Sequence, residues 1–449
     1  TYQSMNIYVP EGYFNGKTIN GYTAKTAPIF LPNTVGGYMR GAPGQPSEND
    51  RMTGGANAML VALSKGYVVA APGARGRTTQ AADGTYTGKA PALIVDMKAT
   101  VRYLRHNAGK LPGDTEKIIS NGTSAGGALS TLIGATGDSK DYEPYLKALG
   151  AADERDDIYA SSVYCPITDL DHADMAYEWM FNGVNTYHQG NMGAMKPPAG
   201  NSQAKPAGVV TNRPDNAPVE AAAGTEITAV QQQASKDLKA MYPAYINSLH
   251  LVDKNGKAFT LDENGRGSFA DYIKSIYMAS AQKALDNGTD LSSKTWLTIN
   301  DGKVTDMDLA GYAVDVTRLK AAPAFDALDM SSAETEEFGT ATVDKQHFTV
   351  YGKDHSTIAG SALADKDIVK TMNPLNYIGK SGVKTAHYWR IRHGEADRDT
   401  TIAVPAVVAL RLQQAGYDVD FASPWARGHA GDYDLDELFA WMDAIGHKN

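Results

Sequence analysis

The 449-residue chain has only one cysteine, no excess of positive charge and no long apolar run. Its one cysteine, Cys165, excludes an internal disulfide framework. Acidic residues outnumber basic ones by 51 to 42, and the net charge of −9 argues against nucleic acid as a partner. No apolar run is long enough to cross a bilayer, so we expect no membrane partner. A hydrophobic content of 42% suffices for one large domain with an insertion, or for two domains.

The start of the sequence bears on the cellular compartment. The first residue is Thr1 and not methionine, and Met5–Val9 already has the pattern of a strand. We therefore expect that preceding residues were removed or are not included, and a signal peptide would fit there. A secreted and a cytoplasmic location both stay open.

The most informative stretch is residues 121–127, Asn-Gly-Thr-Ser-Ala-Gly-Gly, between an apolar run and a helical pattern. Gly-x-Ser-x-Gly between a strand and a helix is typical of the nucleophile elbow of an α/β-hydrolase. The serine must turn sharply to expose its hydroxyl, and side chains two residues before and after it would collide with that turn. Gly122 and Gly126 remove those side chains. The pattern predicts Ser124 as a nucleophile, with an ordinary glycine-rich turn as the alternative.

Strand and helix patterns alternate at both ends of the chain. Predicted strands are Met5–Val9, Ala27–Leu31, Gly66–Ala71, Lys117–Ser120, Ser161–Cys165, His387–Ile391 and Val419–Phe421. Predicted helices are Ala56–Ser64, Ala92–Asn107, Ala128–Ile133, Val404–Ala415 and Asp434–Ile445. This alternation predicts an α/β fold with a doubly wound, mostly parallel sheet formed by residues 1–167 and 386–449.

The middle of the chain, residues 168–385, has a different pattern. Residues 196–224 are rich in proline, alanine, glycine and asparagine and predict a long irregular segment. Helices are predicted at Thr228–Leu249 and Ser268–Asn287, and a small hairpin around residues 296–304. We predict that residues 168–385 form a large lid domain inserted between two core strands.

A serine nucleophile needs a histidine base, and the base needs a carboxylate that fixes its tautomer. In this fold the three follow in the order Ser, Asp, His, on loops at the carboxyl ends of strands. We predict Asp397 as the acid, in a His-Gly-x-x-Asp pattern after one late strand, with Asp399 as the alternative. We predict His429 as the base, because it lies on the loop between the last strand and the last helix. His393 is expected to shape the turn beside the acid.

The oxyanion of an acyl-transfer reaction needs two donors. One is the amide of Ala125, after the nucleophile, and the other should come from the loop after an early strand. We predict the amide of Gly37, with Gly36 shaping the loop; a plain Gly-Gly turn is the alternative.

Asp169, Asp171, His172 and Asp174 fit no standard metal spacing, so a solvated acidic turn is favoured. We expect neither a metal nor a cofactor.

Four segments together resemble the bacterial tannases, the tannin acyl hydrolases of the α/β-hydrolase fold. They are Thr34–Tyr38, Gly122–Gly127, Arg392–Asp399 and Gly428–Asp434, and the resemblance runs through nearly the whole chain. It implies a serine esterase that acts on small phenolic esters and hydrolyses galloyl ester bonds through an acyl-enzyme. We expect the enzyme to be a monomer. A feruloyl or broader phenolic-acid esterase is the alternative among hydrolases. A non-catalytic binding protein on the same scaffold is an alternative of another class.

The resemblance also implies residues that bind the acyl ring. Lys320 and Glu334 of the lid and Asp399 of the core match the positions that bind galloyl hydroxyls, and Ile167 is expected to pack on the ring face. A buried site that pairs several phenol hydroxyls rejects a ring that lacks them. For Lys320 and Glu334, the alternative is an exposed ion pair of little energetic consequence.

Overall fold

The computed structural model describes residues 3–50, 54–187 and 224–448. Most of the irregular segment predicted at 196–224 lies outside these ranges. In the described ranges, no helix is both long and apolar enough to span a membrane.

The first part of the chain alternates strands and helices. Its strands are β1 (Met5–Tyr8), β2 (Pro28–Pro32), β3 (Val68–Pro72), β4 (Asp114–Thr123) and β5 (Ala160–Tyr164). Its helices are α1 (Ala58–Ser64), α2 (Ala92–His106), α3 (Ala125–Ala135) and α4 (Glu143–Leu149). Short 3-10 turns lie at Glu11–Asn15 and Lys140–Tyr142.

The stretch between β5 and the next core strand is called the inserted region below. It contains the helices α5 (Leu170–Phe181), α6 (Ala229–Ser248), α7 (Ser268–Asp286), α8 (Leu309–Val316), α9 (Ala333–Glu337), α10 (Val350–Asp354) and α11 (Lys366–Thr371). Two small antiparallel pairs belong to it, β6 (Thr186–Tyr187) with β7 (Thr225–Glu226) and β8 (Leu297–Asn300) with β9 (Lys303–Met307). A 3-10 turn at Pro374–Asn376 follows.

The last part of the chain returns to the core, with β10 (Tyr388–Arg392), α12 (Ala403–Gln414), β11 (Asp418–Ala422) and α13 (Leu435–Gly446). Seven strands form the central sheet in the order β1-β3-β2-β4-β5-β10-β11. β1 is antiparallel to β3, and the other pairs are parallel. Every residue of β2, β3 and β5 is buried, as expected when helices cover both faces of a parallel sheet. This is the predicted mostly parallel α/β architecture, and it brings the carboxyl ends of β4, β5 and β10 together.

The structure confirms the predicted core strands and helices, with shifts of a few residues at their ends. The hairpin and the two long helices of the inserted region are also confirmed. The prediction of a solvated acidic turn at residues 169–174 is wrong. This stretch lies at the start of α5, and Asp169 and Asp174 are buried there. Their carboxylates accept hydrogen bonds from Tyr245 Oη at 2.6 Å and from the Phe325 amide at 2.7 Å, which a solvated turn would not provide.

Candidate active site

Ser124 stands at the junction of β4 and α3 in a strained conformation. Its φ is 61° and its ψ −124°, a region that serine rarely adopts. The turn is held from both sides, because the Ser124 amide donates to the Tyr164 carbonyl (3.0 Å) and the Ser124 carbonyl accepts from the Ala128 amide (2.9 Å). This is the sharp strand-to-helix turn that the motif predicts.

The flanking glycines are required by close approach of the backbone. A Cβ on Gly122 would lie 2.2 Å from the Gly126 carbonyl oxygen. A Cβ on Gly126 would lie 2.5 Å from Asn33 Oδ1 and 2.7 Å from the Val35 carbonyl oxygen. The crowding predicted at both positions is confirmed, and the second contact shows that the loop after β2 packs directly on the elbow.

His429 and Asp397 lie together at the carboxyl ends of β11 and β10. His429 Nδ1 is 2.9 Å from Asp397 Oδ2, and Asp397 is fully buried. The two loops are joined by their backbones, since the Ala396 amide donates to the Arg427 carbonyl (2.9 Å). A Cβ on Gly394 would lie 2.1 Å from that same carbonyl oxygen, so this loop contact requires glycine.

The electrostatics of this pair favour the charged forms. Burial by itself would raise the pKa of Asp397, but His429 and His393 outweigh it and lower that pKa to about 2. Burial would lower the pKa of His429, but the Asp397 carboxylate outweighs it and raises that pKa well above its usual value. His393 Nε2 lies 3.6 Å from Asp397 Oδ2, and burial lowers the pKa of His393.

The hydrogen bond that a serine nucleophile forms with its histidine base is absent between Ser124 and His429. Within the described ranges, His429 Nε2 has no hydrogen-bond partner, so the bond to the Ser124 hydroxyl is not formed in this structure. The Cys165 thiol is near both the Ser124 backbone and the His429 ring, and burial raises the pKa of that thiol. The elbow and His429 are therefore both close to the Cys165 side chain.

Two sets of described residues offer potential metal ligands within 4.8 Å of one another. One is Cys165 with Asp397 and His429, and the other is Asp169 with Asp171 and His172. Each set already contains a histidine–carboxylate contact, at 2.9 Å between His429 and Asp397 and at 3.0 Å between His172 and Asp169. A metal at either place would have to displace such a contact, so we assign no metal role to these residues.

The residues expected to bind the acyl ring come from distant parts of the chain. Lys320 Nζ lies 3.2 Å from Asp399 Oδ1, and that same oxygen lies 3.6 Å from His429 Nε2. Glu334 is close enough to Lys320 and Asp399 for their charges to act on its carboxyl group, and it is only 6% exposed. The structure therefore brings Lys320, Glu334 and Asp399 together beside His429.

Charge balance within this group is set by burial and by Lys320. Burial would lower the pKa of Lys320, but Asp399 and Glu334 outweigh it and raise that pKa. Burial raises the pKa of Glu334, and Lys320 opposes that shift. The Lys320 ammonium group also lies over the ring of Phe325, 4.3 Å from its centroid. These contacts differ from the exposed ion pair that was the alternative reading of Lys320 and Glu334.

The loop after β2 lies against the elbow and against Ile167. Asn33 Nδ2 donates to the Gly126 carbonyl (3.0 Å), and the Tyr38 hydroxyl donates to the Ile167 carbonyl (2.8 Å). In the described chain, the amides of Gly37 and Ala125 donate no hydrogen bond to other residues. Gly37 has a φ of 53° and open space where a Cβ would be, so its conformation, and not crowding, is what favours glycine there.

Several solved structures are similar to this chain in both sequence and fold. The Fusobacterium nucleatum tannase is 47% identical to this chain and superposes with a TM-score of 0.89, covering 99% of this chain and 91% of that one. A tannin acyl hydrolase from Lactobacillus plantarum is 44% identical, with a TM-score of 0.88 over the same shares of the two chains. A tannin acyl hydrolase in complex with ethyl gallate gives the same values.

This chain belongs to the bacterial tannase family. The family consists of carboxylic ester hydrolases with the α/β-hydrolase fold and a lid. The family model BD-FAE matches residues 36–242, which agrees with a relation between tannases and feruloyl esterases. No curated protein matches the chain.

Several residues that position the tannase site carry no recognisable sequence signal. Arg318 is fully buried and pairs with Glu178, 2.5 Å away, while its Nε donates to the Lys320 carbonyl (2.7 Å). The Tyr177 hydroxyl donates to the Arg398 carbonyl (2.8 Å) and accepts from the Lys320 amide (3.3 Å). Apart from Arg318 and Lys320, these partners lie far apart in sequence, so only the folded chain shows that they hold Lys320 against the loop carrying Asp399.

Proposed function

We propose that this tannase family member is a serine esterase that hydrolyses galloyl esters of small phenolic substrates through an acyl-enzyme. The observation that carries the proposal is the continuous series of contacts from Lys320 through Asp399 to His429 and Asp397. It places groups suited to phenol hydroxyls directly beside a histidine–carboxylate pair. The structure of a tannin acyl hydrolase in complex with ethyl gallate, 44% identical, supports the same substrate class.

In the acylation step, His429 Nε2 takes the proton of the Ser124 hydroxyl as its oxygen attacks the ester carbonyl. Asp397 holds the His429 ring through Nδ1 and stabilises its positive charge. The amides of Gly37 and Ala125 stabilise the oxyanion, and His429 then returns the proton to the departing alcohol. Water, activated by His429, releases the acid and restores Ser124.

Recognition of the acyl ring is assigned to Lys320, Glu334 and Asp399, with Ile167 against the ring face. Ile167 is 4% exposed, and its amide donates to the Ser124 carbonyl at 3.3 Å, so it lies next to the nucleophile. Three adjacent phenol hydroxyls can pair with one ammonium and two carboxyl groups. We further propose that residues 168–385 form the lid and that 1–167 and 386–449 form the core. That the enzyme is a monomer stays a prediction.

A feruloyl or broader phenolic-acid esterase is the second candidate, favoured by the BD-FAE match over residues 36–242. It would use the same Ser124, His429 and Asp397 and would differ in the contacts to the ring. A non-catalytic scaffold is disfavoured, because the nucleophile, base and acid residues are all present.

The proposal is tested by comparing the wild type with Ser124→Ala on methyl gallate. Turnover should fall by roughly 10⁴–10⁶-fold, while the far-ultraviolet circular dichroism spectrum stays unchanged. Removing an oxyanion donor should cost less, about 10²–10³-fold. Activity close to wild type in a folded Ser124→Ala variant would reject the acyl-enzyme mechanism.

A further inference from the structure

Arg77, on the loop that follows β3, contacts the loop that carries Gly37. Its Nε donates to the Gly37 carbonyl at 2.8 Å, and its amide donates to the Tyr38 carbonyl at 2.9 Å. The peptide units on both sides of Tyr38 are therefore held by one residue. The conformation of this loop decides where the Gly37 amide is directed.

The other end of the same guanidinium group reaches the inserted region. Arg77 Nη1 forms an ion pair with Glu336 of α9, the helix that also carries Glu334. Both partners are largely buried, with side chains 19% and 15% exposed. Burial lowers the pKa of Arg77, and Glu334 and Glu337 oppose that shift, so both are close to the guanidinium group.

The backbone next to Arg77 is closely packed. A Cβ on Gly76 would lie 2.1 Å from the Arg40 amide nitrogen, and one on Gly88 would lie 1.9 Å from the Gly76 carbonyl oxygen. The residue before Arg77 is thus closely packed against Arg40 and Gly88, and the Arg77 side chain extends from there to α9. A guanidinium group suits this role because its planar arrangement of donors can bind a carbonyl and a carboxylate at once, which a lysine cannot do in the same geometry.

We propose that Arg77 is a positioning residue that couples the oxyanion loop to the helix that carries Glu334. The inference rests on the proposed function, in which Gly37 stabilises the oxyanion and Glu334 binds the ring. Through this one side chain, the placement of α9 over the acyl ring and the direction of the Gly37 amide are set together. Loss of Arg77 should therefore impair the chemical step as well as ring binding.

Lys89 offers a matched control. Its Nζ donates to the Glu336 carbonyl at 2.8 Å and to the Asp344 carbonyl at 2.7 Å, and it pairs with the Asp344 carboxylate at 2.9 Å. In the described chain, its hydrogen bonds all go to residues 336–344 of the inserted region. Lys89 thus anchors the same segment to the core without a bond to the Gly37 loop.

The test compares Arg77→Met with Lys89→Met on methyl gallate and on p-nitrophenyl acetate, which has no ring hydroxyls. Arg77→Met should lower kcat on both esters by about 10-fold or more, approaching the 10²-fold loss of an oxyanion donor, and should also raise KM for gallate. Lys89→Met should raise KM for gallate only. Arg77→Lys keeps the charge opposite Glu336, so it should restore KM for gallate more than kcat.

Equal effects of Arg77→Met and Lys89→Met on both esters, or an unchanged kcat in Arg77→Met, would overturn the proposal. If Arg77→Met does not fold, Arg77→Lys decides: a wild-type kcat on p-nitrophenyl acetate would contradict the coupling, and a lowered kcat would support it. The p-nitrophenyl acetate measurements need no ring recognition. If the wild type does not hydrolyse methyl gallate, the proposed substrate is refuted. The p-nitrophenyl acetate measurements would still test the role of Arg77.

Discussion

At the scale of single residues, Asp399 belongs to both halves of the site. One of its carboxylate oxygens lies 3.2 Å from Lys320 Nζ and 3.6 Å from His429 Nε2. It can bind a ring hydroxyl and also influence the base. The sequence alone left Asp397 and Asp399 as alternative acids, and the structure gives the hydrogen bond to His429 Nδ1 to Asp397.

Asp399→Asn should change the pH dependence of the reaction. Burial would lower the pKa of His429, but Asp397 and Asp399 contribute to raising it above the usual value of about 6.5. The base works when neutral, so kcat/KM should rise with pH through that raised pKa. Removing the Asp399 charge lowers the pKa, and the acidic limb should move to lower pH. The profile is measured with p-nitrophenyl acetate, and Glu263→Gln, on an exposed carboxylate, is the control. A limb that stays in place or moves upward would contradict this role of Asp399.

At the scale of elements, the elbow and the loop after β2 form one unit. Asn33 bonds to the Gly126 carbonyl, and the missing Cβ of Gly126 makes room for Asn33 and Val35. A change at the elbow should therefore be transmitted to the oxyanion loop.

Gly126→Ala tests this connection. The added methyl group would force Asn33 and the Val35 backbone away, at a cost of about 1–3 kcal/mol in stability. It should also lower kcat on every ester, because the Gly37 loop moves with them. Gly428→Ala, beside His429 but in open space, is the matched control and should be close to wild type in stability. If thermal unfolding and kcat are the same in Gly126→Ala as in the wild type, the two elements are not coupled in this way.

Elements with a clear period could be predicted from the sequence, and the others could not. The strands β2 and β3 are continuous apolar runs, and α2 presents Leu93, Met97, Val101 and Leu104 at helical spacing. The start of α5 was missed because its acidic residues look like a solvated turn. In the fold, Asp169 and Asp171 instead accept hydrogen bonds from Asn373, more than 200 residues later in the chain.

Some residues of the candidate site could be predicted from the fold pattern, some only from the family resemblance, and one not at all. The order of Ser124, Asp397 and His429 follows from the fold pattern, because each lies where a core strand ends. Lys320 and Glu334 came only from the family resemblance, since no periodic pattern marks a ring-binding residue. Arg77 could not be found at all from the sequence, because its partners lie about 40 residues before it and more than 250 residues after it.

At the scale of the whole molecule, the inserted region and the core build the site jointly. The buried Arg318–Glu178 pair and the Tyr177 hydroxyl fix Lys320 in the inserted region, and Tyr177 also reaches the Arg398 carbonyl of the core. Removing one partner of this buried ion pair should cost about 3–5 kcal/mol in stability, because it leaves the other charge buried and unpaired. The specificity of the enzyme should therefore follow from how the two regions meet.

We propose that the core and the inserted region together bind the hydroxyls of a galloyl ring. The ratio of kcat/KM for methyl gallate to that for methyl ferulate, in the wild type and in Glu334→Ala, tests it most directly. We predict a clear wild-type preference for gallate. In Glu334→Ala, we expect a loss of about 1.5–3 kcal/mol of transition-state binding on gallate, roughly 10- to 150-fold, with little change on p-nitrophenyl acetate. A wild-type preference for ferulate, or equal losses on gallate and p-nitrophenyl acetate in Glu334→Ala, would contradict it.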